Sequence, residues 1–279
     1  MRAERVTGAI ADHGEGPVWS ERWGGLRWVD MLAGDILSLA PDGTVDRRHV
    51  SSVVAALRPR RRGGAVLGVE RGFALEEPDG TIVPLPEVWS DPGVRMNEGG
   101  CDPEGRFYCG SMAYDESPGA ASLYRLEPDR SVETILTGVT ISNGLEWSPD
   151  GTRAYYNDTP TQQVALFAYD REAGLTDRGV LTDVDGQPDG LTVDADGGVW
   201  VALFGGGAVH RYTPGGDLDA VIEVAAGKVT ACTFGGARLD ELFITTSREG
   251  LSEDEDPQAG SLFRVVPGVV GRPVREFAG

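Results

Sequence analysis

The chain has 279 residues, 40% of them hydrophobic, which is enough to bury a full core, and a formal net charge of −19. A field of that sign repels phosphate backbones and anionic headgroups, so neither nucleic acid nor a membrane surface is an expected partner. No apolar run approaches the roughly 20 residues that span a bilayer. The N-terminal MRAERVTGAIADHGEG has no secretory apolar core, and the three cysteines form no CxxC pair, so the expected location is the reducing cytoplasm.

Taken in order, the chain repeats one pattern of short alternating strands and tight turns, with no long amphipathic helical stretch. Residues 17–29 read strand, turn at Gly24-Gly25, strand; Ile36-Leu37-Ser38-Leu39 then leads to a turn at Asp42-Gly43. A weaker copy begins near Ala55. Its Arg58-Pro59-Arg60-Arg61-Arg62 is expected to be a solvated strand connection. Residues 100–109, 144–156 and 190–201 repeat the first hairpin most clearly, and another weak copy begins near Ala231. Residues 122–126, 165–169, 209–212 and 261–265 open the second hairpin of their units. Cys101 and Cys109, on either side of a turn, read as buried free thiols.

Four strands in a unit of about 45 residues is what a propeller blade requires, because each twisted sheet hides both faces against its neighbours. The length accommodates six such units. The expectation is therefore an all-β chain forming one domain over residues 1–279, a six-bladed β-propeller with four antiparallel strands per blade. A pair of β-sandwiches is the alternative, but it leaves the constant internal order of the repeat unexplained.

Aligning the copies on their first turns places Ser20, Asp102, Ser148 and Asp194 at one position. Five residues earlier stand Glu15, Asn97, Asn143 and Asp189, with one-repeat spacings of 46 from 97 to 143 and from 143 to 189. The first strand of each blade lines the channel, so these oxygen-bearing side chains converge at one mouth. Asn143-Gly144 and Asp189-Gly190 would each pass for turn dipeptides alone, but turn chemistry does not place Glu15 in the same register. Clustered carboxylates repel, and a bound cation relieves them; oxygen donors favour Ca²⁺, Mg²⁺ or Mn²⁺ and also admit Zn²⁺.

At the same residues the chain resembles the senescence-marker-protein and gluconolactonase family. The matching segments are residues 14–19 (GEGPVW), 95–97 (RMN), 102–106 (DPEGR), 141–148 (ISNGLEWS), 188–190 (PDG), 232–236 (CTFGG) and the terminal 277–279 (FAG). The resemblance implies a six-bladed propeller with one catalytic divalent metal on Glu15, Asn143 and Asp189, and substrate contacts from Arg95 and Asn97. The family has a further substrate-contacting Glu on the following loop, where this chain is read as offering Asp115. The implied partner is a small lactone, handled by a monomer or weak homo-oligomer.

Three protein ligands leave coordination positions open for water and substrate, and Asp189, beside the ion, is the candidate general base. Arg95 can fork onto hydroxyl or carboxylate oxygens, and Asn97 can both donate and accept. His13, His49 and His210 sit in no nucleophile motif, which disfavours serine catalysis; His13 lies closest to Glu15. Asn157-Asp158-Thr159 divides evenly between cavity and turn, and Trp19, Trp147 and Trp200 read as blade packing. The leading function is metal-dependent lactone hydrolysis. Hydrolysis of phosphotriesters or other esters, and a non-catalytic metal-binding propeller, are the competing readings.

Overall fold

The computed structural model describes residues 1–252 and 254–279. Among them, six four-stranded antiparallel sheets carry the chain in sequence order. The first blade is Gly14–Ser20, Gly25–Asp30, Asp35–Leu39 and Val45–His49. The second is Val54–Pro59, Ala65–Val69, Gly72–Glu76 and Ile82–Pro84, and the third Val94–Cys101, Phe107–Ala113, Ala121–Leu126 and Val132–Val139. The fourth is Ser142–Trp147, Arg153–Asp158, Gln163–Asp170 and Gly174–Asp183, and the fifth Pro188–Val193, Val199–Leu203, Ala208–Tyr212 and Leu218–Glu223. The sixth takes Val229–Gly235, Glu241–Thr246 and Phe263–Val265 from the end of the chain and its outermost strand, Glu4–Arg5, from the beginning. Each first strand packs on the next, and Val229–Gly235 packs on Gly14–Ser20, so the six close a ring. The described residues contain no helix long and apolar enough to cross a membrane.

The hydrophobic core is divided into wedges between neighbouring blades rather than gathered at the centre. Within the wedges large aromatic residues join neighbouring blades: Tyr108 meets Trp147 at 5.3 Å between centroids, Trp200 meets Phe234 at 5.7 Å, and Trp19 stacks on Phe243 at 5.8 Å. The three tryptophans are packing residues, as their recurrence in the strands suggested.

The turn position used to align the copies is a structural anchor. Asp102 Oδ1 accepts from the Glu104 and Arg106 amides, and Asp194 Oδ1 from those of Asp196 and Gly198. Asp194 Oδ2 also accepts from Trp200 Nε1 at 2.9 Å and Arg211 Nε at 2.7 Å, all with no exposure at the carboxylate. The side chain mimics a backbone turn and pins the hairpin, which is why the residue five places earlier lands at a constant height.

Every first strand also carries one extra residue opposite its partner, a β-bulge in each blade. Asn97, Asn143 and Asp189 are the first residues of their bulges, and Glu15 is the last paired residue before its own. A bulge re-aims the side chain it carries. The glycines that follow are explained by the ring and not by turns: a Cβ on Gly144 would lie 2.6 Å from Leu191 N, and one on Gly190 would lie 2.5 Å from Ala231 Cβ. Neighbouring first strands approach too closely there for any side chain.

One expectation changes. Arg58 and Arg60 are buried and bonded, not solvated: Arg58 donates to Leu57 O, and Arg60 to Glu76 O and Gly279 O. Arg60 and Arg61 tie the C-terminal strap at Phe277 to the second blade, leaving Arg61 and Arg62 exposed at the turn. Cys101, Cys109 and Cys232 are free and buried, as read.

The anchor role predicts that Asp194→Ala, which strands the Trp200 N–H and two turn amides and leaves Arg211 only its Asp219 partner, lowers unfolding stability by about 3 kcal/mol or more in urea titrations. The exposed turn residue Asp42, replaced the same way, leaves the midpoint close to wild type.

Candidate active site

One mouth of the channel opens into a cavity of about 340 Å³. Its floor comes from the starts of the first strands: Glu15, Arg95, Asn97, Asn143 and Asp189 all line it. Its rim comes from the residues that follow the second strands, because an antiparallel hairpin brings those back to the same end. Glu116 follows the second strand of the third blade, Thr159 and Pro160 that of the fourth, Phe204 that of the fifth and Glu249 that of the sixth. Met112, Ile141, Pro160 and Phe204 give the cavity an apolar wall.

The floor is ordered by a directional chain of hydrogen bonds. Arg95 Nη1 donates to Asn97 Oδ1 at 2.7 Å, Asn97 Nδ2 to Asn143 Oδ1 at 2.9 Å, Asn143 Nδ2 to Thr159 Oγ1 at 2.7 Å, and Thr159 Oγ1 to Pro188 O at 2.7 Å. Asn97 Nδ2 also donates to Ser142 O, so its amide donors are consumed and an acceptor lone pair is what remains. Asn143 Oδ1 accepts one bond and keeps a second lone pair. Asn157 donates to Asp189 O at 2.7 Å and leaves its own Oδ1 buried without a partner, placing it beneath the floor and not in a turn.

Glu15 and Asp189 are 2% and 5% exposed. Burial pushes the Glu15 carboxyl above its usual value, with His13, the Gly16 amide and Arg95 opposing. Burial pushes Asp189 well above the carboxylate range, and the charges of Glu15 and Glu98 push it further. Glu98 occupies the bulge place that Gly144 and Gly190 hold in the next two blades; burial and Glu15 raise its carboxyl too. Arg95, itself depressed by burial, is the buried cation acting on both floor carboxylates.

Among the described residues, His, Cys, Asp and Glu alone assemble no three-ligand cluster. The donor set that reaches the cavity is two carboxylates and an amide oxygen. Glu15 Oε2 accepts from the Gly16 amide, leaving its other oxygen for the cavity. Hard oxygen donors carrying only partly compensated negative charge out of water fit a divalent cation, which would reverse the upward pressure on both carboxyls.

The structure brings Glu15, Arg95, Asn97, Asn143 and Asp189 to one cavity and leaves Asp115 outside it. Asp115 is exposed and caps its own turn by accepting from the Ser117 amide. The next residue, Glu116, adopts a left-handed φ of 57° and lines the cavity instead. A one-residue shift in a turn decides which carboxylate faces in. His13 also lines the cavity, whereas His210 stays on an outer strand beside Tyr212. Thr159, of the Asn157-Asp158-Thr159 segment, reaches the cavity; Glu116, Gln162, Gln187, Phe204 and Glu249 carry no motif. All six but Gln187 follow second strands, a place visible in the repeat.

Fold and site together define a six-bladed propeller with an acidic, small-molecule-sized pocket at one mouth of its channel. Residues 13–248 match the SMP-30/Gluconolactonase/LRE-like region, and the chain belongs to that family. It is 35% identical over 285 residues to the pentonolactonase XacC of Haloferax volcanii, covering 98% of this chain and 97% of that one. It is 35% identical over 293 residues to regucalcin of Danio rerio, covering 100% and 99%. Among solved structures, a regucalcin from Agrobacterium tumefaciens described as calcium-binding matches with a TM-score of 0.92 at 28% identity, over 99% and 96% of the two chains.

The raised Asp189 carboxyl gives a signed pH prediction. The folded protein keeps a proton that the unfolded chain releases above about pH 3.9. The associated stability is full below that value and is lost as pH rises toward the folded value. In chelator, Asp189→Asn therefore gains stability relative to wild type as pH is raised over the range above about pH 4, read as diverging urea midpoints. A constant difference across that range contradicts the assignment of Asp189 as an uncompensated buried carboxyl.

Proposed function

We propose that this protein is a divalent-metal-dependent hydrolase that opens a small sugar (aldonic acid) lactone. The observation that carries the reading is the floor of the cavity: two buried carboxylates and an amide oxygen on one side, and a fixed guanidinium beside them. Glu15, Asn143 and Asp189 would hold Ca²⁺, Mg²⁺, Mn²⁺ or Zn²⁺, consistent with the calcium binding ascribed to the Agrobacterium relative. The ion supplies Lewis-acid polarisation of the lactone carbonyl and offsets the charge that develops on its oxygen.

The remaining work falls to the chain. Asp189 takes a proton from the water that adds to the acyl carbon and returns it to the ring oxygen as the acyl C–O bond breaks, so that oxygen leaves as a hydroxyl. Arg95 spends Nη1 on Asn97 and Met96 and keeps its other N–H groups for substrate oxygens. Asn97 fixes Asn143 through its donors and offers the substrate only an acceptor. Glu116 takes the substrate contact first read onto Asp115. The apolar wall of Met112, Ile141 and Phe204 receives the C–H faces of the ring and excludes water from them.

Two measurements test the proposal. Chelation abolishes hydrolysis of an aldonolactone panel and reloading a single divalent ion restores it; metal-loaded protein that turns over no lactone overturns the reading. Asp189→Asn, which keeps an oxygen and the side-chain shape, retains metal by direct analysis and loses on the order of a hundredfold in kcat. Near-normal kcat with metal bound reduces Asp189 to a ligand. In parallel, Glu116→Gln raises KM several-fold, whereas Asp115→Asn leaves the kinetics unaltered.

A further inference from the structure

His13 stands two residues before Glu15, and residues two apart on a strand share a face. Its backbone is fixed on three sides: His13 N donates to Asp30 Oδ1 at 2.9 Å, Met31 N donates to His13 O at 2.9 Å, and an antiparallel bridge joins it to Ser247. The imidazole is buried, with 6% exposure, and lines the cavity.

Its ring orientation is determined by the sixth blade. Nδ1 lies 2.8 Å from Ser247 Oγ and 3.2 Å from Glu249 Oε2. Ser247 Oγ accepts from the Glu249 amide at 3.0 Å and donates its own proton toward Asp12 O at 3.4 Å. Its remaining capacity toward His13 is an acceptor lone pair, and Glu249 is an acceptor as well. The bond to His13 in turn holds the Glu249 carboxyl below its usual value. With two acceptors at Nδ1, the proton sits there. Nε2 has no hydrogen-bond partner among the described residues and is not among their sealed, unpartnered atoms, so it is the edge His13 presents to the cavity.

We propose that His13 is a specificity-determining residue whose Nε2 edge hydrogen-bonds a hydroxyl group of the substrate, with Ser247 and Glu249 as the positioning residues that hold it there. A hydroxyl is the matching group because it both donates and accepts: it pairs with Nε2 whether or not that nitrogen carries a proton, which a carbonyl or ether oxygen cannot do. The proposal rests on the lactonase reading and narrows it, selecting a polyhydroxylated lactone over a bare ring of the same size. The signal lies in this chain's own residues, a histidine at position 13 and a carboxylate at position 249 that meet across the ring closure.

The test compares an aldono-1,5-lactone with δ-valerolactone, which has the same ring and no hydroxyls, and measures binding of glucitol, which has hydroxyls and no acyl group. His13→Leu lowers the kcat/KM ratio of the hydroxylated to the bare lactone about fivefold to tenfold, the scale of one hydrogen bond, chiefly through KM. It weakens glucitol binding to a similar degree. His13→Gln, which keeps a polar group at similar reach, recovers most of both, and Glu249→Gln shifts the ratio in the same direction by less. Equal losses on the two lactones, or an unchanged ratio, overturn the proposal. If His13→Leu does not fold, as judged by its melting transition, His13→Ala and Glu249→Gln decide it, a lowered ratio supporting the proposal and an unchanged one overturning it. Wild-type protein that hydrolyses neither lactone but binds glucitol in a His13-dependent way refutes the lactonase reading and leaves the hydroxyl contact standing; no glucitol binding by wild type refutes the contact itself.

Discussion

Two carboxylates held out of water at the closed end of one pocket constrain everything around them. Taking an ionised carboxylate out of water costs several kcal/mol unless an opposite charge or a full set of hydrogen bonds compensates. Glu15 and Asp189 receive only partial compensation, from His13 beside Glu15, two backbone amides and the field of Arg95, and Glu98 nearby adds to the repulsion on Asp189. The surrounding structure is correspondingly inflexible. Amide side chains are locked donor to acceptor, and first strands are packed so closely that glycine alone fits at positions 144 and 190. Such a site gives up stability in return for a prearranged charge.

The labour of the pocket is divided by strand position. Bulges at the starts of the first strands aim a short set of oxygen donors at the axis, each held by hydrogen bonds or by ring packing. The segments after the second strands are less constrained and bring in a more varied set: Glu116, Thr159, Gln162, Phe204 and Glu249. Relatives sharing the floor can therefore differ in the ring they accept by changing only these segments.

Much of this was legible in the sequence because its cause is periodic. A buried Asp or Ser that caps a hairpin turn fixes the height of the residue five places before it, so the 46-residue spacing carried the floor of the site without any knowledge of the ring. What it could not carry is equally physical. Asn-Gly and Asp-Gly looked like turn pairs because glycine serves left-handed turns and close approach alike, and only the neighbouring strand tells the two apart. Asp115 and Glu116 are adjacent carboxylates whose directions depend on one φ angle. Arg58 and Arg60 alternate inward on a strand whose basic composition suggested solvent. Two residues, Glu4 and Arg5, are too few to show a strand period, so the closing of the sixth blade left no readable pattern.

That closing strand bears on how the molecule is made. Glu4–Arg5 is synthesised before the other strands of the propeller, yet its partner Phe263–Val265 is made only after all of them. At roughly 5–20 residues per second, five blades have many seconds in which to form as an open arc before the sixth can be sealed. The contact that completes the circle spans nearly the whole chain and is of the kind that slows folding most. His13 and Ser247 meet across this same seam, so the pocket wall they share is among the last parts of the propeller to form, and a nascent chain acquires it only once the circle is shut.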